Sequence, residues 1–236
     1  MATKPPFAFP REFSFPPFFT RQTNLTTHHA QLVKWSSLIL AYCRHHRLFK
    51  LSLSPSSSSS APSGDPTSQP SDIHPGADEL FHNRRIDKRL SQEDIRETVE
   101  FMRKDGRAEY VSSPTGGGGD VVWVYWRTPE EWASLVADWV GETGQKGAVL
   151  TLYELTESDA TRGAGTYTRT FHKLGDGPAG RDDLVGKQGI AVTNEGRETD
   201  FHGLDPDLLQ KALGILVKRG KAQIFGQEDS QGVKFF

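Results

Sequence analysis

The chain has 236 residues, enough for two small domains, with 35% hydrophobic residues, a mean hydropathy of -0.55 and a formal net charge of -2. That charge excludes a global positive field for recruiting nucleic acid or anionic lipid. The single cysteine, Cys43, excludes an internal disulfide framework and fits a reducing compartment, while the low hydropathy requires part of the chain to be unpacked.

The first element is an arm, MATKPPFAFPREFSFPPFF, with Phe and Pro but no continuous apolar core of a signal peptide. Phe15-Pro16-Pro17-Phe18-Phe19 sets two prolines between aromatics. The prolines bias the backbone to an extended form before any partner arrives, which lowers the ordering cost of binding. Each ring buried in a partner groove would contribute about 1.5–3 kcal/mol. The competing expectation is that the rings fold back as a staple on their own domain. The polar stretch TRQTNLTTHHAQ favours an arm, residues 1–24, that is disordered or extended and reaches outward.

The first helix follows, with Trp35, Leu38, Ile39 and Tyr42 at helical spacing. Its apolar run around Leu38 to Tyr42 is far too short to span a bilayer, so any membrane contact would be peripheral. Cys43 lies on its apolar side and reads as a small core residue, not a nucleophile. Residues 52–76 are dominated by Ser and Pro and cannot bury enough surface to offset ordering entropy. The run Arg84-Arg85-Ile86-Asp87-Lys88-Arg89 is either a solvated basic patch or a contact for an acidic partner surface.

The next segment introduces a repeat. LSQEDIRETVEFMRKDGRAEYV from Leu90 aligns with LDPDLLQKALGILVKRGKAQIF from Leu204 at an offset of 204 − 90 = 114. Leu90, Ile95, Val99 and Met102 then meet Leu204, Leu209, Leu213 and Leu216, and positions 95, 99 and 102 share one helical face. Ser91 and Asp205 stand at the N-cap, Pro206 at the first helical position, and Gly106 and Gly220 just past each helix. Trp35, Leu38, Ile39 and Tyr42 likewise match Trp132, Leu135, Val136 and Trp139 at an offset of 132 − 35 = 97. The second of these helices opens on Thr128-Pro129-Glu130-Glu131, a capping-box pattern.

Each copy ends in an apolar strand, VVWVYW (121–126) and GVKFF (232–236), with a glycine-rich tip, SSPTGGGGD (112–120), before the first. Helix, short middle element, helix and two strands make a winged helix. The expected fold is therefore α+β: two tandem winged-helix domains, 25–126 with the Ser/Pro insertion and 127–236 with a Gly-rich insertion at 157–198, behind the arm.

Catalytic motifs fail on context. Gly175, Gly177 and Gly180 spell GxGxxG, but Pro178 lies inside and no long apolar helix follows. Gly186-Lys187 is followed by Gln188 where a phosphate loop needs Ser or Thr. The histidines are scattered (28, 29, 45, 46, 74, 82, 172, 202), with no HExxH or CxxC, so no metal site or cofactor is expected. A DNA-reading helix would be basic, whereas the first candidate carries Glu93, Asp94, Glu97 and Glu100. The second is basic only at Lys218, Arg219 and Lys221, which complement the helix dipole. A winged-helix transcription or chromatin factor is the alternative, with salt-dependent duplex binding as its mark.

Several segments resemble the vacuolar protein sorting-associated protein 25 family, the small subunit of the endosomal sorting complex ESCRT-II. They are FPPFFT (15–20), QLVKWSSLILAYCR (31–44), LFHNRRIDKRLS (80–91), RTPEEWASLVADWV (127–140), VLTLYELT (149–156), FHGLDPDLLQKAL (201–213) and GVKFF (232–236). The departures are the two insertions, the second of which leaves Thr199-Asp200 ahead of the FHGLD run. The resemblance implies no enzymatic activity, no cofactor, no nucleic acid and no direct membrane insertion. It implies two copies per complex on a core of two larger subunits, docked through Phe15, Pro16, Pro17, Phe18 and Phe19, with Arg89 as a further core contact. It also implies that the second winged helix, through Leu150, Leu152 and Tyr153, binds the N-terminal helix of the initiating ESCRT-III subunit (the subunit-20 type). Leu150, Leu152 and Tyr153 could equally be core of the second domain. The implied setting is cytoplasmic with peripheral recruitment to endosomes, for sorting ubiquitinated cargo into multivesicular bodies.

Overall fold

The computed structural model describes residues 5–53, 77–111, 120–158, 161–162, 199–226 and 231–236. The chain divides into two compact units, Met1–Thr128 and Pro129–Phe236. The first contains α1 (Leu25–His46), β1 (Lys50–Ser52), α2 (Ala77–Phe81), β2 (His82–Asn83), β3 (Lys88–Arg89), α3 (Gln92–Lys104), β4 (Ala108–Tyr110) and β5 (Val121–Val124). The second contains α4 (Pro129–Glu142), β6 (Val149–Thr151), α5 (Leu152–Thr156), α6 (Pro206–Lys218), β7 (Ala222–Phe225) and β8 (Gly232–Phe235).

Both units have the same topology. Their antiparallel sheets run β1-β5-β4 and β6-β8-β7, so in each the last strand is central. The chain is α+β, with two winged helices. Beyond the expected hairpin, each wing gains a third strand, β1 or β6, which leaves the first helix and pairs with the last strand. The first copy also carries the β2–β3 ribbon, its turn closed by Asp87 at φ 49.

The local chemistry explains the matching elements. Ser91 Oγ accepts from the Asp94 backbone N–H at 3.1 Å, and Asp205 accepts from Asp207 and Leu208, each cap stabilising its helix by about 1 kcal/mol. Gly106 and Gly220 take φ of 67 and 68, the left-handed conformation that ends a helix without a Cβ clash. The four aligned pairs starting at Leu90/Leu204 are all buried, as are Trp35/Trp132 and Ile39/Val136. The apolar stripes of α3 and α6 thus contribute to the two cores together with those of α1 and α4, each fully buried Leu or Val worth about 1.5–3 kcal/mol.

Two boundaries differ from expectation. The Ser/Pro stretch was expected from residue 52, but Ser52 ends β1 opposite Val121 and Leu53 is buried, its N–H donating to the Asp120 carbonyl. Helix α1 begins at Leu25, inside the stretch read as a polar spacer, because the Asn24 side chain caps Thr26 and Thr27. The remainder of the Ser/Pro stretch (54–76), the glycine tip (112–119), the glycines of the GxGxxG run, Gly186-Lys187, and His74 and His172 lie outside the described residues.

The arm also differs. It is neither extended nor detached: Arg11–Ser14 and Pro16–Phe19 form two 3-10 turns, and Phe13, Phe18 and Phe19 are buried in the core of the first unit. Proline at the first positions of the second turn supplies the fixed φ such a turn needs. The rings then find apolar surface on their own α1, the staple outcome, because only five residues, Thr20 to Asn24, separate Phe19 from the start of α1.

Candidate partner-binding sites

The first site is the outward side of the arm. Phe18 and Phe19 point inward, while Phe15, Pro16 and Pro17 are exposed, Phe15 by 59%. Phe18 stacks on Trp35 and Phe19 meets Trp35 edge-on, with centroids 5.4 Å apart. The backbone is tied down as well. Gln31 Nε2 donates to the carbonyls of Phe18 and Thr20 at 2.8 and 2.9 Å, and Gln22 Nε2 donates to that of Pro17 at 2.9 Å. Arg21 pairs with Glu97 on α3, and His28 Nε2 lies 3.1 Å from the same carboxylate. The result is a rigid Phe-Pro-Pro ridge held from beneath by two anchors. Rigidity of this kind lowers the entropy lost when a partner binds.

Beside the ridge lies a groove of about 470 Å³ between the arm and the β2–β3 turn, lined by Phe9 and Phe13 and by His82, Arg84 and Arg85. Phe9 stacks on Phe13 at 4.1 Å, and Asn83 Nδ2 donates to the Phe13 carbonyl at 2.6 Å, joining the arm to the turn. Arg89 is exposed at the end of the same ribbon. Its guanidinium donates to Asp78 Oδ1 at 2.6 Å, and Arg84 reaches the other oxygen at 3.4 Å. The Arg89 hydrogen bond holds the Asp78 carboxyl below its usual value. The arginine run is therefore a turn whose cations are partly neutralised by Asp78 and which still faces solvent.

The second site is the β6–α5 corner. Tyr153 is 69% exposed, while Leu150 and Leu152 are half-buried and the core position is Leu155. Leu150 pairs with the fully buried Val233 and so shares the inner face of the sheet, whereas its neighbour Val149 faces out. The corner is fixed by a capping box. Glu154 N–H donates to Thr151 Oγ1 at 3.1 Å and Thr151 N–H donates back to Glu154 Oε2 at 2.7 Å, holding the Glu154 carboxyl below its usual range. The T-x-x-E spacing at 151–154 is the signal that could have found it.

Among the described residues no cluster of three His, Cys, Asp or Glu side chains could hold a metal ion. Burial pushes the Cys43 thiol up to about 12, so it is a core group. No helix of the described residues is long and apolar enough to cross a membrane. Glu97, on the helix a DNA reader would use, is already engaged by Arg21 and His28.

The fold defines a protein built of two tandem winged-helix units. The family model of the ESCRT-II complex subunit matches residues 12–173, and the chain belongs to that family. It is 31% identical over 230 residues to vacuolar protein-sorting-associated protein 25 of Danio rerio, covering 98% of this chain and 99% of that protein. Its fold matches the crystal structure of subunit VPS25 of the endosomal trafficking complex ESCRT-II, with a TM-score of 0.65 at 22% identity over 96% of this chain and 98% of that one. It also matches a chain of the endosomal complex ESCRT-II (VPS22/VPS25/VPS36), with a TM-score of 0.64 at 23% identity over 96% and 98% of the two chains. The family consists of complex subunits, not enzymes, and its role is endosomal sorting.

Proposed function

We propose that this chain is an arm of ESCRT-II: it docks on the two larger core subunits through its N-terminal ridge and recruits the initiating ESCRT-III subunit through its second winged helix. The observation that carries the first half is the exposed Phe15-Pro16-Pro17 ridge over the buried Phe18 and Phe19. Phe15 and the two prolines make the contact, Phe18 and Phe19 set its shape, and the neighbouring groove, lined by Arg84 and Arg85, receives an acidic side chain, with Arg89 on the same ribbon as a further contact. The solved relative in complex with VPS22 and VPS36 supports the choice of partners. For the second half, Tyr153 offers an exposed aromatic anchor at a corner stiffened by its capping box. Two copies per complex would bring two initiators together and raise their effective concentration without any new contact. The chain would then act in the cytoplasm, recruited peripherally to endosomes, in sorting ubiquitinated cargo into multivesicular bodies.

The test is co-purification of the full chain with the two larger subunits. Phe15→Ala with Pro17→Ala is expected to weaken recovery at least roughly tenfold, the affinity equivalent of losing one buried ring. Undiminished recovery would overturn the ridge as the docking element.

A further inference from the structure

The polar contacts beneath the arm form a circuit that closes on itself. Gln31, buried on α1, commits both hydrogens of its amide to the arm, donating to the carbonyls of Phe18 at 2.8 Å and Thr20 at 2.9 Å. That assigns the orientation of the amide, because the flipped form would set its oxygen against two other oxygens. Its Oε1 therefore faces His28 Nδ1, 3.4 Å away, and His28 Nε2 lies 3.1 Å from Glu97 Oε1 on α3. Each oxygen of Glu97 accepts in turn from one terminal nitrogen of Arg21, the residue that follows Thr20 in the chain. The path thus runs from the arm through α1 and α3 and back to the arm.

The two residues held by Gln31 themselves hold the ridge. Phe18 N–H donates to the Phe15 carbonyl at 2.9 Å, and Thr20 N–H donates to the Pro17 carbonyl at 3.2 Å. Phe18 and Thr20 are thus gripped by Gln31 on one side and grip Phe15 and Pro17, two of the three exposed ridge residues, on the other. Both carbonyls also have a second donor: Trp35 Nε1–H reaches that of Phe18 at 3.0 Å, and Gln22 Nε2 reaches that of Thr20 at 2.8 Å. Those donors would keep each carbonyl satisfied without Gln31. Among the described residues, however, Gln31 is the one side chain that bonds to both.

We infer that Gln31 is the positioning residue of the docking ridge: oriented by His28 and Glu97, it fixes the spacing of Phe18 and Thr20 and, through them, the angle at which Phe15 and Pro17 meet the core subunits. This rests on the docking reading above. Gln31 is buried beneath the arm, so it acts through the ridge and not on the partner. A single 3-10 turn has few backbone bonds of its own, and holding it in one conformation before contact lowers the entropy lost on docking. The circuit also has an open end. Glu97 is half-buried and Arg21 exposed, so a change on the outer side of α3 reaches the ridge without touching it.

The test measures binding of the full chain to the reconstituted pair of larger core subunits by biolayer interferometry, with the urea midpoint of each variant followed separately. Gln31→Met keeps the length of the side chain and removes both donors. It is expected to weaken binding about fivefold, the cost of docking a ridge that is no longer held in advance. In the Phe15→Ala, Pro17→Ala background the same change should have no further effect, because the surface it positions is gone. A merely structural role would lower the urea midpoint and weaken binding by the same factor in both backgrounds, and that result would overturn the inference. Glu97→Gln, made at the open end of the circuit, should show the same background dependence with a smaller loss of about twofold. Normal binding by a folded Gln31→Met, or by Glu97→Gln where Gln31→Met does not fold, would sink the positioning role and leave the docking reading standing. Normal binding by the Phe15→Ala, Pro17→Ala chain would sink that reading, and the positioning role with it.

Discussion

The ring of Phe18 lies parallel to the indole of Trp35, centroids 4.4 Å apart and planes 5° from coplanar, and Trp35 Nε1–H donates to the carbonyl of Phe18 itself at 3.0 Å. One residue of the arm thus satisfies both the face and the polar edge of the most buried aromatic of α1. An indole N–H without that acceptor would be left in the core at a cost of about 1–3 kcal/mol. The arm is in this sense a piece of the first unit's interior.

It follows that Phe18 and Phe15 behave oppositely. Phe18→Ala should destabilise the first unit by about 3–5 kcal/mol, the usual cost of removing a core aromatic, seen as a lower urea midpoint. Phe15→Ala should leave that midpoint within about 0.5 kcal/mol, as exposed substitutions do. Equal shifts from both would contradict the buried and exposed assignments.

Gly232→Ala is expected to cost about 1–3 kcal/mol, because its methyl would collide with Val149 Cγ1. Adding Val149→Ala removes the obstacle and should recover most of the loss. A double-mutant cycle by chemical denaturation that gives simple additivity would rule out this contact as the cause.

Cys43 should be inert in the native protein. Burial raises its thiol to about 12, so at pH 8 neither thiolate nor access is available. Labelling by a thiol-specific chromophore is expected to follow the rate of global unfolding and to become immediate in denaturant. Rapid labelling of the folded chain would place Cys43 elsewhere.

The Asp78–Arg89 pair makes a pH-dependent contribution with a definite sign. The folded carboxyl titrates below its ordinary value of 3.8, so the pair's stabilisation is complete above that pH and is lost as pH falls through the lower folded value. Both partners face solvent, which keeps the contribution under about 1 kcal/mol and makes it salt-sensitive. Following the Asp78 carboxyl by NMR, Arg89→Ala should raise its midpoint towards the ordinary value. An unmoved midpoint would show that Arg89 is not the cause.

The neck of the second insertion can be cut. Thr199 N–H and Oγ1–H both donate to the Thr161 carbonyl at 2.9 Å, and Thr161 Oγ1 lies 3.0 Å from His202 Nδ1. The described ends of the insertion are therefore already joined, and replacing 163–198 by a Gly-Gly linker should leave the unfolding temperature and partner recovery nearly unchanged. Thr161→Val removes the buried hydroxyl and should cost about 1–3 kcal/mol. A large loss of stability on deletion would mean that the insertion contributes to the core.

The duplicated winged helix was legible in the linear chain because its signals are local. Ser91 and Asp205 as caps, Gly106 and Gly220 as stops, and apolar residues three and four apart each act within one or two turns of backbone. The second unit's capping box at Thr151 and Glu154 is equally local. Whether Phe18 faces inward and Phe15 outward was not legible, since both are aromatics beside prolines and only the position of Trp35 and Gln31, over ten residues away, separates them. The closeness of Gly232 to Val149 has the same character. It exists only once two strands distant in sequence are set in register, because a shift of one residue would exchange the two faces of the sheet. Periodicity belongs to the chain; which side of an element meets the interior is decided by what packs against it.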